Sequence, residues 1–138
     1  MMKRIAVLFA VLLLAGCAGM VAPPAARPVS DNSAVVALSD AARTDAAGGK
    51  LDAAVASLER ALRIEPHNPA LWQDLARLRL EQGQYQQAEG LAARSNGWAG
   101  NDNVLRADNW RIIGQARLKR GDYTGAQAAF DKAAELAK

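Results

Sequence analysis

Hydrophobic and polar positions along the chain fall into three regimes. Ile5 to Leu14 is an unbroken apolar run of ten residues behind a short basic start, Met1-Met2-Lys3-Arg4. A bilayer span takes about 20 apolar residues, so this run predicts the h-region of an export signal rather than a permanent span. Residues 18–33 carry three prolines and no apolar periodicity. They predict a disordered or polyproline-like tether that reaches up to about 50 Å at roughly 3.1 Å per residue. From residue 34 onward, apolar residues recur at helical spacing, in amphipathic runs such as Ser57-Leu58-Glu59-Arg60-Ala61 and Ala129-Phe130-Asp131-Lys132-Ala133.

Glycine punctuates those runs at a regular interval. Gly49-Lys50-Leu51-Asp52-Ala53-Ala54 aligns with Gly83-Gln84-Tyr85-Gln86-Gln87-Ala88, 34 residues later, and Gly121-Asp122-Tyr123-Thr124-Gly125-Ala126 follows after a further 38. Each copy has a helical run on both sides, which predicts helix–turn–helix units. Glycine at the turn takes the left-handed conformation that ends the first helix. Ala54, Ala88 and Ala126 are small where the paired helices are expected to cross. Pro66 stops a helix, and Asn68-Pro69 starts the next, Asn as N-cap and Pro at the first helical position.

This pattern resembles the tetratricopeptide repeat. The resemblance covers residues 35–138, with copies at 35–68, 69–102 and 107–138. Copy one ends Ala61-Leu62-Arg63-Ile64-Glu65-Pro66-His67-Asn68, close to the family's closing motif. Copy two has Trp72, Leu75, Ala76, Gly83, Tyr85 and Ala88 in place, and copy three has Trp110, Ile113, Gly114, Gly121, Tyr123, Ala126, Phe130 and Ala133. It implies an all-α solenoid of three helix hairpins. Copy one departs at Leu38 and Asp45, where larger aromatic residues are usual. Copy two lacks the closing Pro, and its second helix is expected to end near Ser95-Asn96-Gly97 with Gly97 as cap. Four extra residues then lengthen the connection or the helix from Val104 to Arg120. The chain stops at Lys138 without the family's solvating helix, leaving the last helix uncapped and open to homodimer formation.

A second resemblance concerns the export signal. Leu14-Ala15-Gly16-Cys17 is similar to the lipobox of bacterial lipoproteins. It implies cleavage of residues 1–16, a covalent lipid on Cys17 and a membrane anchor. Ala18, in place of Asp, implies the periplasmic side of the outer membrane.

Composition adjusts this picture in two ways. Hydrophobic residues make up 51% but aromatics only 5%. The excess is alanine, which suits closely packed helices and argues against a β-sandwich. Loss of Lys3 and Arg4 leaves 15 Lys and Arg against 14 Asp and Glu. No basic stripe remains for nucleic acid. One Cys and one His exclude an intrachain disulfide and a structural zinc site.

No phosphate loop, catalytic carboxylate pair or metal cluster is legible, so no catalytic residue, metal ligand or cofactor other than the lipid on Cys17 is expected. His67 falls in a turn, without Ser and Asp placed to converge on it. Trp72 and Trp110 recur at one repeat position and are expected to pack between helices. Trp98 stands outside the pattern, as a capping contact or a partly exposed contact residue. First helices of such repeats line a concave face that binds extended peptides. Here that face is expected to carry Arg43 from copy one, Gln73 and Arg77 from copy two, and Arg111, Gln115 and Lys119 from copy three. This mildly basic row suits an acidic protein or peptide, because a guanidinium donates two bonds to a carboxylate. The groups needed to clamp a chaperone's C-terminal carboxylate are absent; Ser39, Asp74, Asp108 and Ile112 occupy some of those positions. The expected function is a non-catalytic, lipid-anchored periplasmic adaptor in envelope assembly. The alternatives are a pilotin-like factor for a secretin or type IV pilus, and an accessory subunit of a cell-wall or glycan enzyme.

Overall fold

Side-chain caps start four of the helices. Asn32 Oδ1 accepts from the backbone N–H groups of Ala34 and Val35, and Asn68 Oδ1 does the same for Ala70 and Leu71. Asp102 caps through the Leu105 N–H and Asp122 through the Gly125 N–H. The structure is a computed structural model and describes residues 28–138. Cys17, the signal segment and most of the tether therefore lie outside the described residues. Among the described residues six α-helices follow one another: α1 (Ser33–Ala47), α2 (Leu51–Ile64), α3 (Pro69–Glu81), α4 (Tyr85–Trp98), α5 (Asn103–Lys119) and α6 (Tyr123–Leu136). Consecutive helices pair as antiparallel hairpins, and the three hairpins stack into the all-α solenoid expected. No helix among the described residues is long and apolar enough to cross a membrane.

The turns follow the glycine spacing. Gly49, Gly83 and Gly121 all have φ between +75° and +83°. That region is open to glycine at little cost and strained for residues with a Cβ. Pro69 opens α3 behind its Asn68 cap, as the sequence predicts. The end of copy two differs from expectation. Helix α4 runs through Gly97 to Trp98, and the left-handed residue is Gly100, with φ of +53°. The extra residues of copy three lengthen the first helix of that hairpin, making α5 the longest at 17 residues.

Two apolar clusters form the core. One joins α1, α2 and α3 through Val35, Leu58, Leu62, Leu71, Leu75 and Leu78. The other joins α3 to α6 through Ala76, Ala88, Ala92, Ile112, Ile113, Ala116 and Ala129. Helix α6 buries only alanines, Ala126, Ala129 and Ala133, and α4 buries Ala88, Ala92 and Ser95. Small side chains bring the paired backbones together, so the alanine excess resides at the helix crossings. Gly114 shows how tight they are: a Cβ there would lie 2.5 Å from the Phe130 ring.

A buried polar cluster ties repeats two and three. Asn109, fully buried, donates from its amide to Ser95 Oγ at 2.7 Å and Asn96 Oδ1 at 3.0 Å. Its Oδ1 accepts from Gln73 Nε2 at 2.9 Å. Gln73 Nε2 also donates to the Leu105 carbonyl, and Ser95 Oγ donates to the Pro69 carbonyl. Helices α3, α4 and α5 are thereby held in one register by directional bonds.

Candidate functional site

Helices α1, α3 and α5 line one face of the stack, and the expected arginines lie along it. Each arginine is bonded to an aspartate one turn earlier on its own helix. Arg43 Nη1 meets Asp40 Oδ1 at 2.5 Å, Arg77 Nη1 meets Asp74 Oδ1 at 3.0 Å, and Arg111 pairs with Asp108. Arg77 also bridges between helices, its Nη2 3.7 Å from Asp108 Oδ2. The face is therefore a ladder of alternating charge across the three first helices, not the mildly basic row expected. The sequence carries a signal for this pairing: Asp40, Asp74 and Asp108 recur at intervals of 34 residues, each three before its arginine.

Asp74 sits deepest in this ladder. Burial raises its carboxyl above the usual aspartate range, although Arg77 and Arg43 pull it down and the Arg77 hydrogen bond adds to that pull. Beside it, α1 and α3 border a furrow of about 260 Å³ lined by Ser39, Ala42, Leu58 and Leu78, with Arg43 and Arg77 at its rim. The Ser39 hydroxyl is buried there without a hydrogen-bond partner among the described residues.

The other expected contact residues separate. Gln115 and Lys119 are exposed and follow Arg111 at successive four-residue steps along α5. Gln73 is a correction to the expected contact set: it is only 7% exposed, and its amide is spent on Leu105 and Asn109. Its register places it on the first-helix face, but a partner on α5 makes it internal. Trp98 lies away from the ladder, at the end of α4. Its ring stacks on His67 with centroids 4.1 Å apart and stays 46% exposed. His67 is thus an exposed turn residue packed against an aromatic ring.

Trp72 and Trp110 are both half-buried, against the first and second apolar clusters respectively. The Trp72 indole N–H donates to the Pro66 carbonyl at 2.8 Å, and the Arg94 guanidinium lies 4.4 Å from the centre of its ring. The outward side of α6 is polar, with Gln127 bonded to Asp131 and Lys132 to Glu135. Among the described residues no group of three or more His, Cys, Asp or Glu side chains is placed to hold a metal ion.

Comparison with known proteins agrees with this architecture. Family models described as tetratricopeptide repeat match residues 45–107 and 107–138. No curated protein matches the chain. Among solved structures, the globular C-terminal domain of P. aeruginosa LpoP is similar at 41% identity and a TM-score of 0.73, covering 75% of this chain and 98% of that one. The N-terminal domain of stress-induced protein-1 from C. elegans is similar in fold, at 15% identity and a TM-score of 0.70, covering 76% of this chain and 87% of that one. With three stacked hairpins, glycine turns at the repeat spacing and this coverage, the chain belongs to the tetratricopeptide-repeat family.

Proposed function

We propose that this protein is a non-catalytic adaptor, lipid-anchored through Cys17 on the periplasmic side of a bacterial outer membrane, whose repeat domain holds a partner protein. The observation that carries this reading is the stack itself. Three hairpins present open furrows bordered by arginines, the form in which an extended surface recognises another chain. The charge ladder fits that use. Exposed ion pairs contribute about 0–1 kcal/mol each, so a partner's carboxylates can displace Asp40 or Asp108 at little cost to folding. Likeness to a globular C-terminal domain supports the layout, since here too the folded unit follows a leading segment. That segment joins at a defined corner: Asn68 donates to the Val29 carbonyl and Ser30 to Glu65, which pins residues 29–30 to the turn between α2 and α3.

Two measurements test the reading. Lipid chains contribute about 0.8 kcal/mol per buried CH₂, so two or three chains hold the protein on the membrane. Cys17→Ser is expected to lose palmitate label and shed the protein from membranes; equal labelling of both forms refutes the anchor. Affinity purification of the full chain from detergent-solubilised membranes is expected to recover an envelope protein. A secretin would favour the pilotin-like role, and a cell-wall synthase the accessory-subunit role. Recovery no greater than from an untagged control refutes the adaptor.

A further inference from the structure

The side of the stack opposite the charge ladder carries a second furrow. Helices α2 and α4 flank it, and one stripe of α3 forms its floor. It encloses about 700 Å³. Leu62, Leu75 and Leu91 line it beside the Trp72 ring, and arginines stand at its rim. Arg79 is paired with Glu59 at 3.3 Å. Among the described residues, Arg63 and Arg94 have no carboxylate within ion-pair reach, and both are exposed. Arg94 lies over Trp72, so one unneutralised guanidinium adjoins the apolar floor. Arg60 and Arg106 are likewise without an ion-pair partner among the described residues but lie outside this furrow, whereas the arginines of the ladder hold aspartates.

Gly90 is the second observation. It lies within α4, faces the furrow and is exposed. Glycine weakens a helix interior relative to alanine. The fold supplies no steric reason for it, because a Cβ built there would meet nothing within 4 Å. What a missing side chain does at this position is keep the furrow open to whatever enters it.

Resting on the adaptor reading above, we propose that this furrow docks an acidic segment of a partner protein. An apolar side chain of that segment seats on Leu62, Leu75 and Leu91 beside Trp72, and flanking carboxylates reach Arg63 and Arg94. Charge complementarity decides the chemistry: the rim carries three arginines against Glu59. Shape favours a polypeptide over a bilayer surface, since the floor lies below two flanking helices where a strand or helix fits and a flat layer of headgroups does not. Aromatic and arginine anchors in such pockets are the side chains that dominate protein interfaces.

The test uses the full lipid-anchored chain in living cells, with photoreactive benzoylphenylalanine in place of Gln87 at the furrow rim or, separately, of Gln115 on the ladder face. Mass spectrometry then maps the crosslinked peptide. The expected adduct from position 87 is a protein segment with acidic residues flanking an apolar one. Gly90→Leu places a side chain in the furrow where a Cβ meets nothing within 4 Å and replaces a helix-interior glycine, so it should melt no lower than wild type yet reduce the adduct about tenfold. Arg63→Glu should reduce it by a similar factor. An adduct to lipid, an adduct to a segment without acidic residues, an adduct unaffected by Gly90→Leu, or no adduct at all overturns the proposal. A partner crosslinked from position 115 but not from 87 would sink this site and leave the adaptor function standing. Silence at both positions would count against both.

Discussion

Replacing Asn109 by alanine removes the hub of the polar cluster between repeats two and three. Its side chain makes three hydrogen bonds, to Ser95, Asn96 and Gln73. A buried hydrogen bond contributes about 1 kcal/mol net, so their loss costs about 3 kcal/mol. The partners limit further damage. Gln73 keeps the Leu105 carbonyl, Ser95 keeps the Pro69 carbonyl, and half-buried Asn96 can turn to water. The space left by the amide adds a cavity cost and brings the total to about 4 kcal/mol. At about 4 °C per kcal/mol for a domain of this size, the melting temperature should fall by roughly 16 °C. Urea denaturation followed by far-UV circular dichroism measures the free energy directly. In a double-mutant cycle with Gln73→Ala, the coupling should be about 1 kcal/mol, the single bond the two share. Hydrogen exchange should show α5 and α6 losing protection before α1 and α2. A loss below about 1 kcal/mol, or uniform loss of protection, would refute the idea that directional bonds hold this junction.

Three other expectations test the core and the ladder face. Asp74 holds its proton more tightly in the folded chain than in the unfolded one. The stability it supports is therefore full below about pH 4 and declines as pH rises through the raised folded value. Asp74→Asn should melt higher than wild type at pH 7, with the gap closing toward pH 4, and parallel pH profiles would contradict this. Ala126, 2% exposed at the crossing of α5 and α6, leaves no room for a larger side chain. Ala126→Leu should destabilise by about 1–3 kcal/mol through overpacking, and an unchanged melting curve would place the crossing elsewhere. Arg77→Glu with Arg111→Glu sets two new carboxylates among Asp74 and Asp108. The melting temperature should drop, and added salt should restore part of it; a salt-independent melt equal to wild type would mean the ladder carries no energy.

The local features were legible because they depend on few residues. Asn68-Pro69 marks a helix start whatever surrounds it, and Gly49, Gly83 and Gly121 mark turns because the left-handed conformation costs glycine little. Gly97 misled for the same local reason. A glycine near an expected helix end looks like a cap, but α4 runs one residue past it to Trp98, whose ring packs on His67, and the left-handed residue is Gly100. Asp40, Asp74 and Asp108 recur with the same spacing as the arginines, so the pairing within each helix is written in the sequence. Whether a charge on a helix is free depends on its neighbours in space: Arg77 meets Asp108 from another helix, while Arg63 and Arg94 meet no carboxylate.

The sequence by itself determined the architecture of residues 35–138: helix pairs at a spacing of about 34 residues, closed by glycine and stacked through alanine. Periodicity and turn chemistry act over a few residues, so the one-dimensional pattern carries them. Only the tertiary structure decided which polar side chains are inside and which cations are free. Gln73 and Asn109 become internal because α3 and α5 bring them together across 36 residues of chain. Gly90, Leu91 and Arg94 join Leu62, Arg63 and Trp72 in one furrow because α3 holds α2 and α4 on either side of it. Those are relations between surfaces of separate helices, set by packing distance and crossing geometry, and no window along the chain contains them.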